Sequence, residues 1–474
     1  MKNGKAVGPD NISSEAWKML GQCGITYLTS KLNEIMEREK IPDEWRSSIL
    51  IPVFKNKGDT LQCNNYRGIK LICHAMKLYE RVLERRIRDC VSISDEQFGF
   101  MPGRSTTDAI FILRQLQEKF REGQKTLHCA FIDLEKAYDR VPRDELLYCM
   151  REKGVPEKYV RVIEDMYQGS NTIVRCAAVD SQPFEVQVGQ HQGSALSPLL
   201  FAIIIDSLTG EVRKKAPWQM MFADDVVLCC TKKHELEGEL KKWRKALEDR
   251  GMRISRTKTE YLCYNGHEQE SIKLGQEYIP QVKEFKYLGS TVTADGDSDK
   301  EISRRIQAGW SNWRKVTGIV CDKKAPNRVK GKILSTVVHP AMLYGIETLP
   351  MTGREENKLE VAANRMNRWS CGFTMFDKVK NEEIREKLKI RSLRVKCRQS
   401  RMRWFGHAER REEQHVTKTV WNMEVPGKRK RGRPRRRLKD NIKEDMRAMG
   451  MEGSEDAQER ELWELKIKLA AATP

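Results

Sequence analysis

Two apolar segments of the chain carry acidic residues where buried strands would turn or end. Met220 to Cys230 is apolar on both sides of Asp224-Asp225, and Leu127 to Leu134 is an apolar run with Asp133 near its end. Because aspartate suits turns, the first segment predicts a strand, a turn and a second strand, and the other segment predicts a central strand. A sheet with acidic residues at strand ends is therefore expected in the core.

Strands and helices mix before about residue 295, whereas beyond Asp299 nearly everything has a charged helical pattern. This division predicts an α+β unit followed by a mainly helical unit, and a chain of 474 residues is long enough for two or three units. The predicted helices of the first unit are 16–37, 74–88, 108–120, 198–208 and 235–248. Its further predicted strands are 49–54, 173–176, 184–188 and 285–292.

The chain is strongly basic, with 87 Lys and Arg against 67 Asp and Glu and a formal charge of +20. Such an excess favours a polyanionic partner, nucleic acid before an acidic membrane surface.

The longest apolar run, around Leu199 to Ile205, is far too short to span a bilayer. The polar N-terminus lacks a signal-peptide or transit pattern, so an intracellular protein of the cytoplasm or nucleus is expected. The 13 cysteines show no C-x-x-C pair, which supports neither a zinc knuckle nor a disulfide framework.

Asp133, Asp224 and Asp225 suit phosphoryl transfer, which needs charge neutralised on the attacking and leaving oxygens. Carboxylates that hold Mg²⁺ do this well, and Mg²⁺ prefers oxygen ligands. Taken alone, an Asp-Asp pair is usually only a turn, and we weight that structural interpretation at roughly four in five. The other motifs of the chain therefore decide between the two interpretations.

The motifs resemble, in order, those of reverse transcriptases of non-LTR (LINE-type) retrotransposons, particularly the RTE-like endonuclease–reverse transcriptase proteins. The resemblance covers roughly the first three-fifths of the chain and is less sharp in the remainder. The segments that carry it are Lys5 to Asp10, Tyr66 to Ile69, Gly99 to Thr106, Phe131 to Val141, Gln190 to Phe201, Phe222 to Asp225 and Tyr287 to Gly289.

The resemblance implies a right-hand polymerase: fingers at 1–125, a palm with an antiparallel sheet at 126–295, a helical thumb or connector at 296–395, and a basic nucleic-acid-binding region at 396–474. It implies an RNA-directed DNA polymerase that uses an RNA template, a DNA primer or target DNA, dNTPs and two Mg²⁺ ions, with Mn²⁺ as an alternative. No membrane partner is expected, and the oligomeric state is open. Because the first fingers motif starts at Lys5, we expect the endonuclease part to be missing.

Family roles can be assigned to the catalytic motifs residue by residue. Asp133, Asp224 and Asp225 resemble the metal-binding triad, and the backbone carbonyl of Leu134 is an additional candidate ligand. Tyr138 occupies the position of the aromatic residue that packs beneath the nucleotide sugar and collides with a 2′-hydroxyl. Without the motif, Tyr138 would be interpreted as a core aromatic residue.

The resemblance also implies nucleotide contacts. Arg67 resembles the fingers arginine that clamps the triphosphate, a task that suits a planar guanidinium, and Lys55 or Lys57 would assist it. Gln192-Gly193 resembles the loop beside the incoming nucleotide, where glycine permits close backbone approach. Lys258 resembles the lysine that protonates the departing pyrophosphate. The alternatives are surface cations, an ordinary turn before a helix and an exposed structural lysine.

Three further sites are expected to contact nucleic acid. Tyr287-Leu288-Gly289 resembles the primer grip, with a plain β-turn as the alternative. Arg104 is a candidate nucleic-acid contact in the fingers. Arg431, Arg433 and Arg435 belong to a basic tract that resembles an AT-hook, and the alternatives are a nuclear-import signal or a nonspecific phosphate-binding arm, which we give roughly half the weight.

Two functions remain after this comparison of motifs. The first is an active polymerase, and the second is a catalytically inactive or domesticated nucleic-acid-binding remnant of the element. The presence of Asp133, Asp224, Asp225 and Tyr138 favours the first.

Overall fold

The computed structural model describes residues 1–176, 179–266, 271–428, 432, 434–451, 453 and 455–470. In its N-terminal part, two helices precede a pair of strands and two helices follow it along the chain. The elements are α1 Ser14–Met19, α2 Gly21–Arg38, β1 Ser47–Phe54, β2 Tyr66–Leu71, α3 His74–Cys90 and α4 Thr106–Glu122. The single early helix predicted over 16–37 is wrong, because Gly21 adopts a φ of +56° and separates α1 from α2.

The middle of the chain alternates strands with helices. The elements are β3 Leu127–Asp133, α5 Ala137–Arg140, α6 Arg143–Glu152, α7 Glu157–Tyr167, β4 Asn171–Val174, β5 Phe184–Glu185, α8 Ser197–Leu208, β6 Gln219–Phe222, β7 Asp225–Cys230, α9 Lys233–Glu248, β8 Glu260–Tyr264, β9 Ser271–Leu274, β10 Glu277–Val282, β11 Glu284–Tyr287 and β12 Ser290–Thr293. The predicted strand, turn and strand around Asp224-Asp225 is confirmed.

The strands form a central sheet, a fingers-side sheet and a separate hairpin. The central sheet has the order β6-β7-β3-β8-β10-β9, the fingers-side sheet has the order β2-β1-β4-β5, and β11 pairs with β12. The pairings are antiparallel except for β1 with β4 and β8 with β10. The predicted α+β fold with a largely antiparallel palm sheet is therefore confirmed, with two parallel pairs that the sequence did not indicate.

Beyond residue 298 the described chain is helical, as predicted. The helices are α10 Asp299–Lys315, α11 Thr317–Val320, α12 Asn327–Ile333, α13 His339–Leu343, α14 Gly353–Ser370, α15 Asn381–Leu388, α16 Leu393–Glu409, α17 Val416–Asn422, α18 Leu438–Ala448 and α19 Arg460–Ala470. A π-helical turn, Leu334–Val338, joins α12 to α13.

The C-terminal helices share a core with α4 and the central sheet. Phe111 of α4 packs its ring 5.2 Å from Trp404 and 5.9 Å from Trp421, measured between centroids. The same buried cluster contains Phe131 of β3 and Trp463 of α19. The helices from α16 onward thus contribute to the same hydrophobic cluster as the strand that carries Asp133, while the boundaries at 125, 295 and 395 stay predictions.

Glu118 joins α4 to the start of α18. This carboxylate is buried and accepts a hydrogen bond from the Leu438 backbone N–H at 3.0 Å. Burial raises its pKa to about 7, and the Leu438 N–H partly offsets this.

The raised pKa of Glu118 predicts a pH-dependent stability. The folded chain keeps a proton that the unfolded chain releases above its ordinary pKa near 4.5, so this contribution is complete below that pH and is lost as pH rises through about 7. Glu118→Gln keeps an acceptor for Leu438 without the titration. Relative to wild type, urea unfolding should show the variant gaining roughly 1–3 kcal/mol between about pH 5 and pH 8. A difference that does not change with pH would contradict this assignment.

Among the described residues, no helix is both long and apolar enough to cross a membrane.

Candidate active site

The ends of strands β3 and β7 bring the predicted triad together. Asp133 is the last residue of β3 and pairs in register with Asp225, the first residue of β7. Phe222 pairs with the same Asp225 across a two-residue turn, Ala223-Asp224. The sequence folds this way because apolar strands flank a residue pair that suits a turn. All three carboxylates therefore lie together at one end of the neighbouring strands β3 and β7.

Burial and repulsion between the carboxylates dominate the electrostatics at these strand ends. Burial, together with the charges of Asp224 and Asp133, raises the pKa of Asp225 to about 7. Burial and the Asp133 charge also raise the pKa of Asp224, against opposing effects that include the cations Lys258 and Arg67. Lys258 Nζ lies 2.9 Å from Asp133 Oδ1. The site concentrates negative charge beside two of the cations that the sequence assigned to nucleotide binding.

Tyr138 lies beside the triad on α5. Its ring stacks on Phe201 of α8 at 4.6 Å between centroids, and burial and the Asp224 charge raise its pKa. Its buried hydroxyl has no hydrogen-bond partner among the described residues. The stacking on Phe201 is the core packing that was the alternative interpretation, and the contact of Tyr138 with a nucleotide sugar stays a prediction.

The Gln192-Gly193 loop contacts both the fingers-side strand β2 and the palm. The Lys70 backbone N–H donates to the Gln192 carbonyl at 2.7 Å, and Gln192 Nε2 donates to Asp139 Oδ1 at 2.8 Å. Gly193 has a φ of +117°, and a Cβ there would lie 2.6 Å from the Lys70 carbonyl oxygen. The close approach that glycine was predicted to permit is made by the strand that carries Arg67.

Glu80 supports this loop from α3 and was missed by the sequence reasoning. It is buried, accepts the Ala195 backbone N–H at 2.8 Å, and burial raises its pKa to about 7. The signal in the sequence was a carboxylate on the apolar face of a helix, next to Tyr79 and in line with Leu83 and Ile87. A buried acid in such a place needs a donor, and the loop supplies one.

The predicted primer grip is a tight hairpin turn packed against the catalytic strand. Leu288 and Gly289 both have positive φ, as a two-residue hairpin turn requires. Phe131, two residues before Asp133, stacks on Phe285 at 4.0 Å and contacts Tyr287 at 5.8 Å, between ring centroids. The segment thus has the geometry of a β-turn, and it packs on the strand that ends at Asp133. Its contact with a primer stays a prediction.

Residues of the helices α4 and α10, and one residue directly after α13, hold this turn in place and were missed by the sequence reasoning. Arg305 donates to the Gly289 carbonyl and Tyr344 Oη donates to the Leu288 carbonyl, each at 2.7 Å. Arg114, buried in α4, donates to Ser290 Oγ at 2.5 Å, and Ser290 in turn donates to Glu301 Oε1 at 3.0 Å. An arginine inside the apolar run of α4 was the available signal, since a buried cation must be paired.

Other predicted basic contacts have partners within the protein. Lys55 Nζ donates to the Asn64 carbonyl at 2.8 Å, whereas Lys57 is exposed on the same loop, so neither is placed on the triad. Arg104 pairs with Asp95, and its guanidinium lies 5.2 Å from the Phe98 ring centroid.

Of the basic tract, Arg431 and Arg433 lie outside the described residues. Arg435 donates to the Asp295 carbonyl at 2.9 Å. The described end of the tract therefore contacts the protein, and its contact with nucleic acid stays a prediction.

The carboxylates at these strand ends supply the oxygen donors that a divalent cation such as Mg²⁺ prefers. In the described part of the chain, no three acidic, histidine or cysteine side chains converge as a preformed metal cage. Mg²⁺ ordinarily keeps water and substrate phosphates among its ligands, so two or three aspartates are sufficient. Leu134 and Ile254 form an antiparallel bridge. Its two hydrogen bonds run from the Glu135 N–H to the Arg253 carbonyl and from the Ser255 N–H to the Asp133 carbonyl, so neither involves the Leu134 carbonyl.

Comparison with known proteins agrees with this geometry. The family described as "Reverse transcriptase (RNA-dependent DNA polymerase)" matches residues 54–292, half of the chain, and this segment contains the whole triad. The chain belongs to the reverse transcriptase family. The matched segment runs from the end of β1 to β12, so it also includes Arg67, Tyr138, the Gln192-Gly193 loop and the β11–β12 turn.

The curated relatives of this reverse transcriptase come from transposable elements. A probable RNA-directed DNA polymerase from transposon BS of Drosophila melanogaster is 26% identical over 77% of this chain and 42% of its own length. A Pol polyprotein from a type-1 retrotransposable element R2 of Nasonia vitripennis is 24% identical over 69% of this chain and 30% of its own. The predicted resemblance to non-LTR retrotransposon reverse transcriptases is confirmed, and the chain spans less than half the length of either relative.

Among solved structures, a telomerase from Candida tropicalis with a fragment of telomeric RNA aligns over 87% of this chain and 69% of its own. The sequence identity is 12% and the TM-score is 0.40.

Proposed function

We propose that the chain is an RNA-directed DNA polymerase that copies the RNA of a non-LTR retrotransposon. The 3′-hydroxyl of a DNA primer attacks the α-phosphorus of a dNTP paired to the template, a new phosphodiester bond forms, and pyrophosphate leaves. The observation that carries this proposal is the register of β3 with β7, which sets Asp133 opposite Asp225 with Asp224 in the adjoining turn. Three carboxylates crowded at the ends of apolar strands are costly to bury and are not needed to form the sheet.

The side chains around the triad would bind and orient the nucleotide. Arg67, exposed on β2, would pair with the triphosphate, and Lys258 would donate a proton toward the departing pyrophosphate. Tyr138 would lie beneath the sugar and exclude a ribose 2′-hydroxyl. Gln192 would contact the nascent base pair from a loop fixed by Lys70 and Asp139.

Asp133, Asp224 and Asp225, with the Leu134 carbonyl, would hold two divalent cations, Mg²⁺ or Mn²⁺. When bound, such cations neutralise charge on the reacting oxygens.

The primer would lie between the β11–β12 hairpin and α10. Residues of both elements line an open cavity of about 650 Å³. Its lining includes Lys286 and Arg304, which suit a phosphate backbone, and Phe285, whose ring also packs on Phe131. The cavity thus adjoins the catalytic strand from the side of the predicted primer grip.

Primer extension with matched templates and nucleotides tests the proposal. The same DNA primer is annealed to RNA or to DNA of identical sequence, and dNTPs or NTPs are supplied with Mg²⁺ or with chelator. Extension should require the divalent cation, proceed on the RNA template, and favour dNTPs over NTPs by roughly 10²-fold or more in kcat/KM. Template binding without extension under any of these conditions would instead support the inactive nucleic-acid-binding remnant.

A further inference from the structure

The segment Glu96 to Gly99 runs beside the strand that leads into the catalytic turn. The Met221 backbone N–H donates to the Glu96 carbonyl at 2.9 Å, and the Phe98 N–H donates to the Met221 carbonyl at 2.7 Å. These two bonds form a parallel bridge between Gln97 and Met221. The segment therefore lies along the edge of the central sheet next to β6, within reach of the turn that follows it.

The Gln97 side chain reaches the catalytic turn itself. It is fully buried, and its Oε1 accepts the Gly99 N–H at 3.0 Å and the Ala223 N–H at 3.3 Å. Both contacts come from backbone N–H groups, so they require an acceptor and fix the orientation of the amide. Its Nε2 has no hydrogen-bond partner among the described residues. The acceptor atom is thus the part of Gln97 that the fold uses.

The catalytic turn needs such support. Ala223 is buried and has a φ of +57°, a left-handed conformation that is unfavourable for a non-glycine residue. It lies in the turn, beyond the Phe222–Asp225 pair that closes the strand ladder. Without Gln97, the buried Ala223 N–H next to Asp224 would lose its acceptor, which destabilises the turn.

Gly99 shows that the segment and the turn are in direct contact. A Cβ on Gly99 would lie 2.4 Å from the Ala223 nitrogen and 2.9 Å from the Phe222 carbonyl carbon, both of them backbone atoms. Only a residue without a side chain leaves room for this approach. The backbone approach of Gly99 and the side-chain bond from Gln97 therefore both meet the turn at Ala223.

We propose that Gln97 is a positioning residue that holds the Ala223-Asp224 turn and thereby orients Asp224 and Asp225 for the reaction. The proposal deepens the polymerase function and rests on it. Gln97 does not touch the substrate; it acts through the backbone of the turn. A displacement of a reacting group by about 1 Å costs up to about 10²-fold in rate, so loss of this bond should reduce kcat more than it affects substrate binding.

Gln97→Met tests the proposal, since methionine has a similar length and no strong acceptor. We expect kcat for single-nucleotide addition to fall by about 10- to 100-fold, with KM for dNTP and primer changed less than about 3-fold. Hydrogen exchange of the peptide 219–226 should be faster, and Mn²⁺ binding followed by electron paramagnetic resonance should be weaker. The control is Gln117→Met, which removes another buried glutamine whose Nε2 donates to the Thr293 carbonyl at 2.6 Å, away from the turn.

A second variant covers the case in which Gln97→Met does not fold. Gln97→Glu keeps an oxygen acceptor, so slow exchange at the turn should be preserved; fast exchange in this folded variant would overturn the proposal. Unchanged kcat and exchange in Gln97→Met, or equal losses in Gln117→Met, would also overturn it. If wild type does not extend a primer, the polymerase proposal fails, and exchange and Mn²⁺ binding still decide the role of Gln97.

Discussion

Replacing Asp445 by alanine should destabilise the chain by about 3–5 kcal/mol, because it leaves a buried arginine without its main partner. Arg401 of α16 is 1% exposed, and its Nε lies 2.6 Å from Asp445 Oδ2. Its remaining acidic partner is Glu356 of α14, at 2.8 Å. Asp445 also accepts from Arg398 at 3.1 Å, so the substitution affects contacts among three helices. Urea unfolding at constant pH measures the change.

The matched control for Asp445 is an acidic residue in an exposed pair. Asp180 lies 2.9 Å from Arg175, and both side chains are more than two-fifths exposed. Asp180→Ala should cost no more than about 1 kcal/mol. Equal effects of the two substitutions would mean that the Arg401 cluster does not stabilise the C-terminal helices against the rest of the chain.

Replacing Arg67 by alanine should raise KM for dNTPs by roughly 10- to 100-fold, because charge-assisted hydrogen bonds to phosphate contribute about 1.5–3 kcal/mol. Arg67 is exposed on β2 and pairs with Val53 across the hairpin, and its charge partly offsets the rise that burial causes in the pKa of Asp224. Arg67→Lys should recover only part of the affinity, since an ammonium cannot pair bidentately. Steady-state extension at varied dNTP concentration gives the values.

Arg175→Ala is the control for Arg67. Arg175 is also an exposed arginine, and it pairs with Asp180 and not with the triad. It should leave KM for dNTPs unchanged. If Arg67→Ala and Arg175→Ala shift KM equally, Arg67 acts through general surface charge and not as a triphosphate clamp.

Local sequence chemistry was sufficient to predict the turn and the strand end that carry the three aspartates, whereas their role as a triad came from the family resemblance. Apolar residues flank Asp224-Asp225, and a strand run ends at Asp133, so the strand ends and the turn follow from local preferences. What the sequence could not show was the register, with Asp133 opposite Asp225. Family resemblance supplied that neighbourhood, and the strand pairing confirms it.

The supporting residues were beyond sequence reasoning because their partners are distant along the chain. Gln97 bonds a residue 126 positions away, Glu80 one 115 away, and Arg114 one 176 away. Each looks like an ordinary helix or loop residue until the fold brings its partner to it. The break at Gly21 was missed for a different reason, since helical periodicity continues across a residue whose backbone leaves the helix.

The packing of the C-terminal helices was also unpredictable from local pattern. At the described end of the basic tract, Arg435 donates to the Asp295 carbonyl, and Arg437 just before α18 pairs with Asp440 at 3.0 Å. Charge composition indicated a partner for these arginines. It could not indicate that part of that partner is the protein itself.

Single-turnover primer extension on an RNA template, with wild type and Asp224→Asn/Asp225→Asn compared at saturating dNTP and Mg²⁺, tests whether these aspartates form a polymerase site. The account predicts that the double variant folds, binds the primer–template as wild type does, and loses at least about 10³-fold in the rate of nucleotide addition, since charge stabilisation of several kcal/mol is removed. Extension by the double variant at the wild-type rate would show that these aspartates do not form the polymerase site.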